Sequence, residues 1–434
     1  MNMDKSNLIN KGRQYVQAIL SGDFDIIVSN MNEESESQRN ASILEQSWIS
    51  TTKELSECKG ILSADYKEVQ GTDFVIVMLD YSTLALRITF CFDHDGKISR
   101  MSALYAPLPS EQAESLQSDK FNGTPIQIGD PKYPLDGKLV IPKSSADVPV
   151  VILVHGSGSS NMNETFGGAG NTPFADIAHG LAEHGIASIR YNKRYYQYPQ
   201  TVPATLTVWD EVINDVNGAI ALARKTDGID KNQIFIIGHS LGGMLSPEIA
   251  KENPDIAGFV SIGGSPRKLE DIILDQNKAA IAAMNNTDED KQAVLNTVIK
   301  IVDQVKALTP ESPHETILSV NSEYWLSLKE TNPQNFVNTL TVPMLFLQGD
   351  ADFQVSPEKD FALWQTLLKE NKNAQFKLYP ELNHFFMKSS GKMNLSEYNT
   401  KAQVEEQVIV DIARWIHLIC SNNKSKAQDR RSES

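Results

Sequence analysis

The apolar positions of this chain change period twice. Over residues 7–20, Leu8, Tyr15, Val16 and Ile19 recur at helical spacing, and residues 24–31 predict a second short helix. The period then drops to two. Residues 64–70, 73–81, 85–93 and 97–105 alternate apolar and polar positions between turn residues, as hairpin-linked strands do. Helices followed by such a run predict a small α+β domain with a curved sheet, ending near residue 118.

The stretch 119–134 is rich in Pro, Asp and Gly and reads as a linker. Beyond it, apolar runs and helical patterns take turns. Strands are expected at 139–142, 148–154, 187–191, 234–237 and 256–262. Helices are expected at 174–184 and at 207–226, where Val212, Val216, Ala219, Ile220 and Ala223 form one stripe. This alternation predicts a mostly parallel sheet covered by helices on both faces, spanning 135–420. A polar segment at 266–341, helical in pieces (269–284, 288–308, 324–328), interrupts it. An insertion there lies above the C-terminal strand ends, where open α/β sheets bind ligands, and is read as a lid. Residues 342–347, 375–379 and 403–419 complete the core. The polar, mixed-charge end at 421–434 is expected to be disordered.

Composition narrows the function. With 434 residues there is sequence for more than one domain, and 41% hydrophobic with 22% charged residues is ordinary globular usage. A net charge of -15 with no basic face argues against nucleic acid. Cys58, Cys91 and Cys420 are far apart and follow no metal-ligand spacing, so they read as free thiols in a reducing compartment, and the expected location is cytoplasmic. No run of 18 apolar residues and no signal-peptide core is present, so no membrane association is expected. No cofactor or metal is expected either. Asp93-His94-Asp95-Gly96 looks like part of a calcium loop, but Cys91 stands where the first carboxylate belongs, and Asp-Gly between alternating strands is a hairpin signal.

Candidate chemistry begins where the apolar run 234–237 meets Gly238-His239-Ser240-Leu241-Gly242. Strand, sharp turn and helix are the context that G-x-S-x-G requires, which makes Ser240 the candidate nucleophile. The flanking glycines relieve crowding at the turn, and the Leu241 amide at the helix start points towards an oxygen that becomes negative in acyl transfer. Ser157, in His155-Gly156-Ser157-Gly158 after the strand 148–154, is the candidate second oxyanion donor, through its main-chain amide. Of the eight histidines, only His384 combines a loop at a strand's C-terminal end with the chain order Ser, acid, His, so it is the candidate base. His239 sits inside the turn and is expected to point away from the reacting oxygen. The acid is Asp350 or Asp352. Asp352 stands further out on the loop and is favoured, with Asp350 left to hold the loop through backbone hydrogen bonds. Lys193, Arg194, Tyr195 and Tyr196 follow a strand end near the site and read either as substrate contacts or as a solvated loop. Tyr324, Trp325 and Phe336 in the insertion read as packing residues or as a pocket lining.

The motifs at 155–158, 238–243, 349–355 and 383–386, in that order, resemble an α/β-hydrolase of the serine-esterase type over residues 135–419. The N-terminal unit resembles the nuclear-transport-factor-like cone and a bacterial domain of unknown function that precedes some esterases. The resemblance implies hydrolysis of small-molecule carboxylic esters, of short acyl chains, through an acyl-enzyme. Thioesterase, amidase or peptidase and acyltransferase activities share the same machinery, and a non-catalytic binding module is the reading from another class. The N-terminal domain is left to cover the pocket or to make a homodimer.

Overall fold

The computed structural model describes residues 4–38, 40–109, 118–144, 146–282, 284, 287–318 and 320–432. The stretch 110–117, next to the expected end of the N-terminal unit, and residues 433–434 lie outside the described residues. The four alternating segments form an antiparallel meander in chain order, β1 (Gly60–Val69), β2 (Thr72–Asp80), β3 (Ala85–Phe92) and β4 (Ile98–Ala106). Bulges between Ile61 and Ser63 and between Cys91 and Phe92 bend it. The helix Lys5–Leu20 lays Leu8, Val16 and Ile19 into one core with Val75, Val77 and Phe90 of the sheet. Asp93 accepts hydrogen bonds from the amides of Asp95 and Lys97 at 3.0 and 2.9 Å, so the Asp93 to Gly96 tetrapeptide is a hairpin turn.

The second sheet has eight strands. It contains β5 (Phe121–Ile128), β6 (Leu135–Pro142), β7 (Val148–Val154), β8 (Ala187–Tyr191), β9 (Ile229–His239) and β10 (Gly258–Ile262). A two-stranded hairpin, β11 (Thr316–Ile317) and β12 (Val320–Asn321), lies in the insertion, and β13 (Met344–Gly349) and β14 (Ala374–Tyr379) close the large sheet. The order is β14-β13-β10-β9-β7-β8-β6-β5, parallel from β14 to β8 and antiparallel at β6 and β5. The parallel strands are apolar on both faces because each face is covered. Ile234 and Ile236 of β9 join Val212 and Val216 on one side, while Phe235 and Ile237 join Phe174 and Trp415 on the other. Each such side chain, fully buried, contributes about 1.5–3 kcal/mol.

Two expectations are corrected. The span 119–134 is not only a linker, since β5 lies within it as the edge strand. Pro125 and Gly123 disguise the strand in the sequence, and an edge position tolerates both. Residues 421–432, expected to be disordered, continue the helix Glu406–Ser432. No Gly or Pro interrupts that stretch, and its Lys, Ala, Gln and Arg residues are good helix formers.

The insertion folds as helices Leu269–Ala282, Asp288–Ala307 and Ser322–Glu330. The last of these is rooted in the domain body, with Tyr324 and Trp325 buried in the main core and the Val208 amide donating to Ser327 Oγ at 3.0 Å. Lys329 donates to the carbonyls of Val305 and Leu308 at 3.0 and 2.8 Å, a cation on the C-terminal end of the preceding helix. The N-terminal domain packs on the loops after β7 and β8. Arg87 donates to the Tyr196 carbonyl and lies over its ring at 4.9 Å, Thr83 donates to the Gly168 carbonyl at 2.6 Å, and Asn161 donates to the Tyr105 carbonyl at 3.2 Å. Among the described residues no helix is long and apolar enough to cross a membrane.

Candidate active site

The sheet order reverses at β7: the chain moves to β8 on one side and returns to β9 on the other. Loops leaving the C-terminal ends of β7 and β9 therefore diverge and open a crevice. His155 to Gly158 leave β7 there, and Ser240 follows β9.

Ser240 has φ 53° and ψ -115°, a sparsely populated conformation that costs on the order of 1–3 kcal/mol in a residue with a side chain. It is held there by its amide, which donates to the Ile262 carbonyl at 3.0 Å, and by its own carbonyl, which accepts from Met244 at 2.9 Å. The glycines of the motif have steric causes. A Cβ on Gly238 would lie 2.2 Å from the Gly242 carbonyl oxygen, and one on Gly242 would lie 2.4 Å from the Val154 carbonyl oxygen.

His384 and Asp352 are both buried and joined by a 2.7 Å hydrogen bond from Nδ1 to Oδ2. That bond assigns the proton to Nδ1 and leaves Nε2 as the basic nitrogen. Asp352 also accepts from the amides of Gln354 and Val355 at 2.8 and 2.9 Å and from Gln348 Nε2 at 2.8 Å, so its carboxylate is fixed from three directions. Asp350 accepts instead from the Glu381 amide at 2.6 Å, tying its loop to the one after β14. Two glycines bring the pieces together. Gly263, which follows the carbonyl that holds Ser240, lies against the His384 ring, where a Cβ would be 3.1 Å from Nδ1. A Cβ on Gly156 would be 3.3 Å from that of Ser240.

The amides on either side of Ser157 are occupied: Gly156 donates to Glu164 Oε1 at 2.8 Å and Gly158 to Glu211 Oε1 at 2.9 Å. No acceptor for the Ser157 or Leu241 amide is found among the described residues. The loop beside Ser240 thus presents one open donor, and the helix Leu241–Glu252 presents another at its positive end.

Several charged residues at the site were not legible in advance. His239 turns both ring nitrogens to partners other than Ser240: its Nδ1 donates to Glu164 Oε1 at 3.0 Å and its Nε2 to the His384 carbonyl at 3.2 Å. Burial pushes its pKa down, but the Glu164 carboxylate and these bonds outweigh it and raise the value. Burial likewise pushes Glu164 up, and His239 brings it below the usual carboxylate range. The two form a buried ion pair. His155, with its Nε2 donating to the Asn161 carbonyl at 2.9 Å, has its pKa lowered by burial to about 4 and is neutral. Lys193, Tyr195 and Tyr196 are buried, and Arg194 pairs with Asp215, so this segment is neither a solvated loop nor a set of open substrate contacts. Among the described residues no group of three or more His, Cys, Asp or Glu side chains could hold a metal ion.

A mixed sheet of this order, with helices on both faces and a strand-turn-helix serine at its reversal point, defines an α/β-hydrolase. Residues 148–389 match the serine aminopeptidase S33 family, and residues 13–101 match a family of proteins of unknown function, DUF3887. The chain belongs to the serine aminopeptidase S33 family, with a DUF3887 domain before it. It is 32% identical over 409 residues to Esterase EstD of Thermotoga maritima, covering 93% of each chain. To Probable carboxylesterase 8 of Arabidopsis thaliana it is 23% identical over 198 residues, which are 44% of this chain and 54% of that one. Among solved structures it is similar to Est1E from Butyrivibrio proteoclasticus, at 15% identity and a TM-score of 0.45, covering 68% of this chain and 99% of the other.

Proposed function

We propose that this chain is a serine esterase that hydrolyses carboxylic esters of short acyl chains through an acyl-enzyme on Ser240. The observation that carries the reading is the buried 2.7 Å bond between His384 and Asp352, next to a serine held at positive φ between two open amides. Ser240 Oγ attacks the ester carbonyl as His384 Nε2 takes its proton. Asp352 keeps the imidazole in the required tautomer and stabilises the imidazolium. The Leu241 and Ser157 amides receive the oxyanion. His384 then protonates the leaving alcohol and, in the second half, deprotonates the water that releases the acid.

The likeness to Esterase EstD over nearly the whole chain supports ester over other acyl bonds. The N-terminal domain packs on the loops after β7 and β8, and we assign the preference for small acyl groups to that cover. The insertion begins just beyond β10, whose Ile262 holds Ser240, and we assign it as a lid. Free thiols at Cys58, Cys91 and Cys420 support a cytoplasmic location. The serine aminopeptidase description of the family keeps amide cleavage as the second reading.

Hydrolysis of p-nitrophenyl esters from acetate to palmitate, beside aminoacyl p-nitroanilides, tests both readings on the wild type and Ser240→Ala. The proposal expects hydrolysis of the short esters that disappears in Ser240→Ala, with a fluorophosphonate labelling only the wild type. A wild type that is folded, inert on every ester and unlabelled would refute it.

A further inference from the structure

We propose that Lys193 and Glu211 are positioning residues that aim the Ser157 amide at the oxyanion, and that Tyr324 couples the helical insertion to them. The inference rests on the acyl-transfer reading above. Lys193 Nζ donates to the Gly156 carbonyl at 2.8 Å and to Glu211 Oε1 at 2.5 Å. The Gly156 carbonyl and the Ser157 amide belong to one planar peptide unit, with C=O and N–H on opposite edges. Fixing the oxygen therefore fixes the direction of the N–H. The same bond polarises the peptide and strengthens its donor. Glu211 Oε1 holds the next peptide by accepting from the Gly158 amide at 2.9 Å. Both peptide units that flank Ser157 Cα are thus clamped by one buried ion pair.

Glu211 lies in the π-helical turn Trp209–Ile213, and its second oxygen accepts from Tyr324 Oη, on the insertion helix Ser322–Glu330, at 2.5 Å. Burial works against the charge on Glu211, but Lys193, Tyr324 and the Gly158 amide keep its pKa below the usual carboxylate range. As a contribution to stability alone, such a pair is weak, because well-packed apolar residues of similar volume often do as well. What an apolar replacement does not supply is the orientation of the loop. Any displacement of the insertion helix reaches the oxyanion amide through Tyr324 and Glu211, without touching Ser240, His384 or Asp352.

The test compares Lys193→Met, Glu211→Gln and the volume-conserving Tyr324→Phe with the wild type. It reads kcat and KM on p-nitrophenyl acetate per Ser240 titrated by the burst, the affinity for a trifluoromethyl ketone that forms a tetrahedral adduct, and Tm. Lys193→Met is expected to lower kcat about 100-fold, the scale of one oxyanion donor, with KM within about twofold and ketone affinity falling in parallel. Tyr324→Phe is expected to lower kcat about 3- to 10-fold, the loss of one hydrogen bond in the clamp, and Glu211→Gln, which keeps acceptor oxygen but loses the charge, to fall between them. Losses in turnover per total protein that vanish when referred to titrated Ser240, or losses that follow only Tm, would mean a structural role and overturn the proposal, as would folded variants with unchanged kcat and ketone affinity. A wild type without burst or turnover would instead remove the acyl-transfer reading on which it rests.

Discussion

His239 Nε2 donates to the backbone carbonyl of His384 at 3.2 Å, so the residue before the proposed nucleophile holds the main chain of the proposed base. Glu164 completes the link, because its Oε1 accepts from both His239 and the Gly156 amide. One carboxylate thereby joins the turn after β9, the loop after β7 and the loop after β14.

The ionisation of that pair predicts a pH dependence of stability. His239 has a pKa raised above its ordinary 6.5, so its contribution is full below about pH 6.5 and is lost as pH rises through the folded value. Glu164 is lowered below its ordinary 4.5, so its contribution is full above about pH 4.5 and is lost as pH falls through the folded value. The Tm difference between wild type and Glu164→Gln should be largest near pH 5.5 and shrink by pH 9. A difference that is flat across this range would show that the pair is not ionised.

The backbone of Ser240 predicts opposite effects on activity and stability. At φ 53°, Ser240→Gly should abolish turnover yet raise stability by about 1 kcal/mol, since glycine takes this conformation without strain. Urea denaturation of Ser240→Gly beside Ser240→Ala measures it. Equal stabilities of the two variants would argue against stored strain.

The two aspartates of the loop after β13 should separate. Asp352→Asn leaves the packing nearly unchanged but withdraws the charge and the tautomer control at His384, and kcat should fall by about 10⁴. Asp350→Asn disturbs only the tie to Glu381, and kcat should fall less than about tenfold, the scale of one hydrogen bond. Steady-state kinetics of both variants on p-nitrophenyl acetate decides. A larger loss in Asp350→Asn would reverse the assignment.

Gly263→Ala should impair the base without touching the nucleophile. Gly263 has φ 60°, and the added Cβ would stand 3.1 Å from His384 Nδ1. Displacing the imidazole by about 1 Å should reduce kcat by about 100-fold. Slower fluorophosphonate labelling of Ser240, with the unfolding transition still cooperative, is the expected signature.

Much of the fold was legible in the residues. The strands at 148–154 and 187–191 coincide with β7 and β8, because long apolar runs between turn residues have few other uses. β5 was not legible: Pro125 and Gly123 carry turn signals that its edge position overrides. The helix beyond residue 420 is hidden for the opposite reason, since its polar residues resemble a disordered tail while their helix propensity carries the Glu406–Ser432 helix through them. At the site, motif spacing singles out Ser240 and His384 and favours Asp352 over Asp350 as the acid. Glu164, Glu211 and the role of His239 carried no local signal, and the position of Lys193 after a strand end near the site gives no sign that its partner is Glu211. Their partners lie 75, 18 and 113 residues away along the chain.

The two-domain layout, the parallel core and the turn that carries Ser240 are written in the residues, because each depends on periodicities and glycine positions within a few residues. The place of Asp352 on its loop favours it as the partner of His384, and the folded chain makes that 2.7 Å bond, whereas the hold of Glu164 and Glu211 on the amides on either side of Ser157 is visible only in three dimensions. A buried charge is stable only beside its partners, and those partners are chosen by the three-dimensional path of the chain.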